Sequence, residues 1–261
     1  MKRLMPPHPG PLSFSVLLAA TLLCGGVHAA EGKTFTVGVE DYKHFLPYSE
    51  VRNDQYGGLG RDILDAFARH KGYAFVYKIY PLKRRDRLFV DGLVDLAFPD
   101  NPNWVADLKK DVNISYAPML EFTDGVLVRP ENLGKGVGRL KTLGIPLGFT
   151  PYPYQQLMSS GALRIEETGD YDSLYDKLLA KRVDGAYMNT RIARHYWTRI
   201  RKAGQPPLVY DPDLPHASGQ WYLSSHKYPQ VIEEFRKFML SNKAEIDELK
   251  KKYEFQAATD Q

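Results

Sequence analysis

The chain has 261 residues, of which 43% are hydrophobic and 25% are charged. This composition is typical of a folded soluble protein and excludes a disordered chain, a collagen-like repeat and a multi-span membrane protein. The formal net charge of +4 gives no electrostatic reason to expect a nucleic acid as the partner, and we expect none.

The first thirty residues have the pattern of a secretory signal peptide. Lys2 and Arg3 precede an apolar run over residues 12–23, which leads to small residues at positions 29–30. The run is shorter than the ~20 residues of a membrane span, so a membrane anchor is the less favoured alternative. We therefore predict a signal peptide over residues 1–30 and a periplasmic location. Cys24 is the single cysteine, so the mature chain would have neither a disulfide nor a cysteine metal site.

The next hundred residues predict alternating strands and helices. The predicted elements are a strand at residues 35–39, a loop at 40–60, a helix that Gly72 ends, a strand at 73–79, a short helix between Pro81 and Val90, and a strand at 93–98. Strands joined by crossover helices form a parallel sheet, and its ligands lie beyond the carboxyl ends of the strands.

A second α/β unit is predicted further along the chain. It follows a strand at residues 125–128 and a loop at residues 130–138 that contains three glycines. Later predicted elements are strands at 143–149, 183–188 and 220–224, a helix at 171–181, a short apolar segment at 208–210, and a helical segment at 229–253 that breaks near Ser241.

Seven short motifs occur in an order that resembles one family. They are the strand at residues 34–39, Leu46-Pro47-Tyr48, the glycine-rich helix start at 58–64, and the segments at 91–95, 114–118, 181–186 and 245–253. In this order, behind a signal peptide, the sequence is similar to the family 3 extracellular solute-binding proteins, the periplasmic receptors of polar amino-acid ABC importers.

The resemblance implies an α/β, two-lobe periplasmic-binding-protein fold of type II, with two lobes joined by two crossing strands. Lobe 1 would comprise residues 31–126 with 211–261, and lobe 2 residues 127–210. A small polar solute would be captured by hinge closure and presented to an ABC permease or a membrane sensor. We expect a monomer without a cofactor, and no enzymatic activity.

Two positions depart from the family pattern. The family's arginine for an α-carboxylate is missing, because residues 101–110 contain lysines but no arginine, and lysine lacks the forked geometry of a guanidinium. The family's acidic ligand for an ammonium group falls on Asn189. An amide offers no full charge to a cation, so we expect a carbohydrate-like, aromatic or organic-acid ligand rather than a bare α-amino acid.

The candidate ligand residues follow the ends of predicted strands or lie in the first ligand loop. They are Phe45, Tyr48, Arg84, Asp100, Asn101, Trp104, Tyr116, Thr150, Tyr152, Tyr154, Asn189 and Arg191. Asp100, Asn101 and Trp104 have an equally good alternative as an Asx turn beside a packed tryptophan. Arg84 has the alternative of a solvated basic turn, and Tyr116 that of a core residue.

The sequence gives little support to an enzyme. The seven histidines show no metal-binding spacing, and no nucleophile elbow, P-loop or dinucleotide fingerprint is present. The alternative function is a periplasmic enzyme on the same scaffold, similar to the cyclohexadienyl dehydratases, for which Asp100 or Asp124 would be the general acid.

Overall fold

The structure is a computed structural model that describes residues 1–2 and 32–255. Apart from its first two residues, the predicted signal peptide lies outside the described residues. No helix in the described part of the chain is long and apolar enough to cross a membrane.

The described residues form eleven strands and eight α-helices. The strands are β1 (Thr34–Glu40), β2 (Glu50–Arg52), β3 (Gln55–Gly57), β4 (Ala74–Tyr80), β5 (Leu96–Asp100), β6 (Ser115–Val128), β7 (Thr142–Pro146), β8 (Arg164–Thr168), β9 (Gly185–Asn189), β10 (Val209–Tyr210) and β11 (Ala217–Ser225). The helices are α1 (Leu59–Lys71), α2 (Leu82–Val90), α3 (Ala106–Lys109), α4 (Gln155–Ser159), α5 (Tyr171–Leu179), α6 (Thr190–His195), α7 (Pro229–Ser241) and α8 (Lys243–Lys252).

Lobe 1 is built on the parallel strands β4, β1 and β5, as the sequence predicts. Helix α1 forms because Ile63, Leu64 and Phe67 recur on one face, where all three are completely buried. It ends at Gly72, whose left-handed backbone (φ 68°) lets its amide bond back to the last turn. Burial of each such side chain contributes about 1.5–3 kcal/mol.

Lobe 2 repeats this layout on β8, β7 and β9, which are also parallel. Asp170 caps the start of helix α5, where its side chain accepts a hydrogen bond from the Ser173 amide. Its apolar face buries Leu174 and Leu178. The predicted helix and the predicted strand at residues 183–188 are therefore present, within two residues of their expected bounds.

Strand β6 passes from one lobe to the other. Its residues from Ser115 to Asp124 pair with β11 in lobe 1, and those from Asp124 to Leu127 pair with β9 in lobe 2. Strand β10 runs beside its far end. Gly125 is required there, because a Cβ atom at this position would lie 2.3 Å from the Tyr210 ring. The exact lobe boundaries that the resemblance implies, at 126/127 and 210/211, stay a prediction.

The structure differs from the sequence prediction in several elements: strands β2 and β3 lie in the predicted loop at residues 40–60, helices α3, α4 and α6 were not predicted, and β7 ends at Pro146 rather than at residue 149. Strand β6 extends back to Ser115 instead of beginning at Gly125, and β5 begins at Leu96 rather than Leu93 because Gly92 turns the chain at φ 73° and leaves Leu93 exposed. Strand β8 was not predicted, because its sequence RIEET has the charges of an exposed edge strand.

Candidate functional site

The first ligand loop follows β1 and brings aromatic side chains to the junction of the lobes. We call Tyr42, Phe45, Tyr48, Tyr171 and Trp221 the cleft aromatic cluster. The Tyr42 and Phe45 rings stack with centroids 5.0 Å apart, Phe45 stacks on Trp221 at 5.5 Å, and Tyr48 lies 4.2 Å from Trp221. The Tyr171 ring comes from lobe 2 and contacts Tyr42 at 6.0 Å. The cluster therefore joins both lobes at the carboxyl end of β1.

The lobes also meet through polar contacts. The Tyr42 hydroxyl donates to the Leu147 carbonyl at 3.0 Å, and the Lys83 ammonium lies 2.9 Å from the Glu167 carboxylate. Gly148 packs against Leu82 so closely that an added Cβ would lie 3.1 Å from it. The lobes are therefore in direct contact, with the cleft aromatic cluster at their junction.

The predicted cluster after β5 is held by internal bonds. The Asp100 carboxylate pairs with the Lys109 ammonium at 2.5 Å and accepts a hydrogen bond from Ser224 at 2.6 Å. Asn101 accepts from the Asn103 amide at 2.9 Å, which is the Asx turn of the alternative interpretation. Trp104 is half-buried, with its ring 6.1 Å from that of Trp221. Asp100 and Asn101 therefore have structural partners, and Trp104 borders the cleft aromatic cluster.

The arginine that enters the interior is Arg85, not Arg84. The Arg84 guanidinium is exposed and lies 5.4 Å from the centre of the Tyr80 ring. Arg85 is 1% exposed, pairs with Asp86 and donates to the Pro99 carbonyl at 2.6 Å. Two adjacent arginines carry the same sequence signal, so the sequence alone did not distinguish which one lies on the buried face of α2.

Glu40 is a buried acid that the sequence analysis missed. It ends β1, is 1% exposed, and accepts a hydrogen bond from the Ser49 hydroxyl at 2.5 Å through Oε1. Its Oε2 atom is buried without a hydrogen-bond partner in the described chain. Burial raises the pKa of Glu40 to about 7, against the Ser49 hydrogen bond and the charge of Arg85, which lower it. An acidic residue at the carboxyl end of the first strand was the available signal.

The tyrosine loop of lobe 2 divides into two environments. Tyr154 is completely buried in the lobe 2 core with its ring 5.8 Å from Tyr187, whereas Tyr152 is half-buried. Burial, and then the negative charge of Asp124, raises the pKa of Tyr152. Thr150 is half-buried, and its carbonyl accepts from the Tyr152 amide at 2.8 Å. Tyr152 therefore lies nearer to the hinge than Tyr154 does.

Asn189 is at the centre of the hinge. It is completely buried, and its Oδ1 accepts from the amides of Arg191 and Ile192 at 3.1 Å, which caps helix α6. Its Nδ2 donates to Asp124 at 3.1 Å and to the Tyr48 hydroxyl at 3.4 Å. The single amide thus connects lobe 2, the crossing strand and the first ligand loop.

The last two predicted residues lie on either side of this centre. The Arg191 guanidinium stacks on Phe255 at 4.2 Å, and its positive charge acts on the Tyr48 hydroxyl. Tyr116 is half-buried at the lobe 1 end of β6, with the Lys109 ammonium 5.9 Å from its ring. Tyr116 therefore belongs with the Asp100–Lys109 pair, and Arg191 with Tyr48 and Asn189.

Two cavities lie away from these residues. One of about 370 Å³ is lined by residues that include Arg129, Arg139 and Asp211, and one of about 350 Å³ by residues that include Asp41 and Tyr77. None of the twelve predicted ligand residues lines either cavity. Among residues 1–2 and 32–255, no group of three or more acidic, histidine or cysteine side chains is placed to hold a metal ion.

The arrangement of two α/β lobes on shared crossing strands is the two-lobe fold of type II periplasmic binding proteins. An ancestral arginine-binding protein bound to arginine matches with a TM-score of 0.66 and 17% identity, over 85% of this chain and 99% of that chain. The AvGluR1 ligand-binding domain in complex with alanine matches with a TM-score of 0.67 and 19% identity, over 87% and 97%.

A third similar structure is the periplasmic binding protein of an arginine transport system from Legionella pneumophila, with a TM-score of 0.66 and 16% identity, over 85% of this chain and all of that chain. No protein-family model and no curated protein matches the sequence. The structural similarities confirm the predicted fold class, and several of the similar folds are those of amino-acid-binding proteins, as the sequence resemblance implies.

Proposed function

We propose that the protein is a periplasmic solute-binding protein that captures a small polar solute between its lobes. The observation that supports this proposal is the contact between the lobes at their junction. There Asn189, at the end of β9, donates hydrogen bonds to Asp124 on the crossing strand β6 and to Tyr48 in the first ligand loop. Closure of two lobes on a hinge requires a ligand that binds the closed form better than the open one.

The physical arrangement supports a solute rather than a macromolecule. The polar groups of the junction are buried among aromatic rings, an environment that small-molecule sites share. Two of the similar structures have arginine and alanine bound, which supports a ligand of that size. A membrane ABC importer or sensor would then receive the loaded, closed form.

A thermal-shift experiment tests this proposal. The purified protein is unfolded, refolded to remove bound solute, and heated with sugars, organic acids, polyamines and amino acids. At a concentration one hundred times the Kd, a ligand stabilises the folded state by about 2.7 kcal/mol, which raises Tm by roughly 5–10 °C. Small-angle scattering with and without the stabilising compound should show compaction. Failure of every compound to stabilise or compact the protein would contradict the proposal.

One observation favours the enzymatic alternative. Burial raises the pKa of Asp124 to about 7, which is the range of an effective general acid. Asp100 fits this role less well, since it is paired with Lys109. The alternative predicts that the purified protein converts prephenate or arogenate and that Asp124→Asn abolishes this turnover. Absence of turnover by the wild-type protein would contradict the enzymatic alternative.

A further inference from the structure

Asp124 is the residue at which the crossing strand changes lobes. It pairs with Ala217 of β11 in lobe 1 and with Asn189 of β9 in lobe 2. Its side chain is therefore attached to the segment whose twist must change when the lobes rotate. Any charge on this side chain is placed on the hinge itself.

The Asp124 carboxylate has one hydrogen bond within the described chain. The residue is 3% exposed, and its Oδ1 accepts from Asn189 at 3.1 Å. No lysine or arginine among the described residues forms an ion pair with it. Burial raises the pKa of Asp124 to about 7, and the Asn189 hydrogen bond lowers it only in part.

The titratable groups on which the negative charge of Asp124 acts come from four elements. They are the hydroxyls of Tyr48 in the first ligand loop, Tyr152 in the lobe 2 loop, Tyr171 on α5 and Tyr187 on β9, each of which feels the negative charge of Asp124. From β11 the paired residue is Ala217, which has no titratable group. The nearby cation is Arg191, whose charge acts on Tyr48.

The Asn189 side chain cannot rotate to form a second hydrogen bond with Asp124. Its oxygen is fixed by two backbone amides of α6 and its nitrogen is shared between Asp124 and Tyr48. A buried carboxylate with so little compensation is costly unless it is protonated or meets a cation. The guanidinium of Arg191 is engaged with Phe255, so the positive charge that Asp124 lacks is one that a solute can supply.

We infer that Asp124 accepts a positively charged group of the solute, an ammonium or guanidinium, and exchanges a proton for it. The inference rests on the proposed solute-binding function and adds the class of solute and a dependence on pH. In the free protein the Asp124 carboxyl holds its proton; when the cation docks, the O–H bond breaks, the proton leaves to the buffer, and the carboxylate pairs with the cation.

The test is isothermal titration of the purified protein with L-arginine, agmatine and putrescine, with 1,4-butanediol and glutarate as uncharged and anionic probes. Titration at pH 6.0 in two buffers of different ionisation enthalpy counts the protons released. We expect a cationic probe to bind with close to one proton released at pH 6.0 and almost none at pH 8.5. Its Kd should weaken about tenfold for each pH unit that the pH is lowered below 7, because the proton competes with the cation.

Two variants separate the outcomes. Asp124→Asn preserves shape and should weaken the cationic probe by about 10- to 100-fold and abolish proton release. Glu121→Gln, on the same strand but half-exposed and paired with Lys250, should change neither. Circular dichroism and Tm establish that both variants fold.

The inference fails if a cationic probe binds Asp124→Asn as tightly as wild type. It also fails if the protein binds only glutarate or butanediol with an unchanged proton count, an outcome that leaves the solute-binding function intact. If no probe and no compound of the thermal-shift panel binds, both the inference and the proposed function are overturned.

Discussion

Two almost completely buried aspartates differ in how their charge is balanced. Asp100, at the carboxyl end of β5, is 1% exposed and has an ammonium, a hydroxyl and a backbone amide as partners. Asp124, on the hinge, is 3% exposed and has one amide. The difference separates a charge that the fold uses for its own structure from a charge that remains available to a ligand.

Removal of Lys109 should have the largest effect. In Lys109→Met, Asp100 loses its buried cation and the fold should lose about 3–5 kcal/mol of unfolding free energy. Urea denaturation at pH 7 measures this loss, with Lys110→Met as the exposed neighbouring control. A loss below 1 kcal/mol would mean that the Asp100–Lys109 pair is not the structural contact that the comparison requires.

The pH dependence of stability should distinguish Asp124. In the folded protein the pKa of Asp124 is raised to about 7, above the ordinary value near 3.9. Its contribution to the free energy of unfolding is therefore complete below pH 4 and is lost as the pH rises through 7. Asp124→Asn removes this loss, so its stability relative to wild type should increase by about 2–3 kcal/mol between pH 5 and pH 8.

Denaturation curves of wild type and Asp124→Asn at pH 5 and pH 8, with Glu121→Gln as control, measure this difference in stability. Parallel pH profiles for wild type and Asp124→Asn would show that Asp124 is charged and compensated in the free protein, and the contrast with Asp100 would disappear.

A smaller effect should come from the contact between the lobes. Tyr42→Phe removes the hydrogen bond from the hydroxyl to the Leu147 carbonyl, which contributes about 1 kcal/mol. The closed form should lose population, and the affinity for a solute should fall about fivefold. Tyr73→Phe is the matched control, because that hydroxyl bonds Glu234 within lobe 1. Equal affinities of the two variants would show that this contact does not select the closed form.

The sequence predicted most of the architecture, since that depends on apolar periodicity. The pattern of Ile63, Leu64 and Phe67 and the stop at Gly72 correctly predict α1, and the strands around it follow. The pattern is weaker in β6, where Pro118, Glu121 and Thr123 interrupt the apolar residues, so ten residues of the strand were missed.

The site was harder to predict because it depends on contacts between distant segments. Asn189 was predicted from the sequence, but its hydrogen bonds to Asp124 and Tyr48 follow only from the tertiary structure. Trp221 and Glu40 belong to no motif, and their positions follow from strand register and from the end of β1. The apolar periodicity that predicts a helix or strand is local in the sequence, whereas a binding site is formed by residues that are distant in the sequence and meet only in the folded chain.

The contact of Gly125 with Tyr210 constrains the motion of the molecule. It holds the two connecting strands side by side where they leave lobe 1. Two adjacent connecting strands that are held together at one point bend most easily about one axis and resist twisting about the others. The opening of this protein should therefore have one mechanical degree of freedom, so that a single distance measured between the lobes describes its whole trajectory.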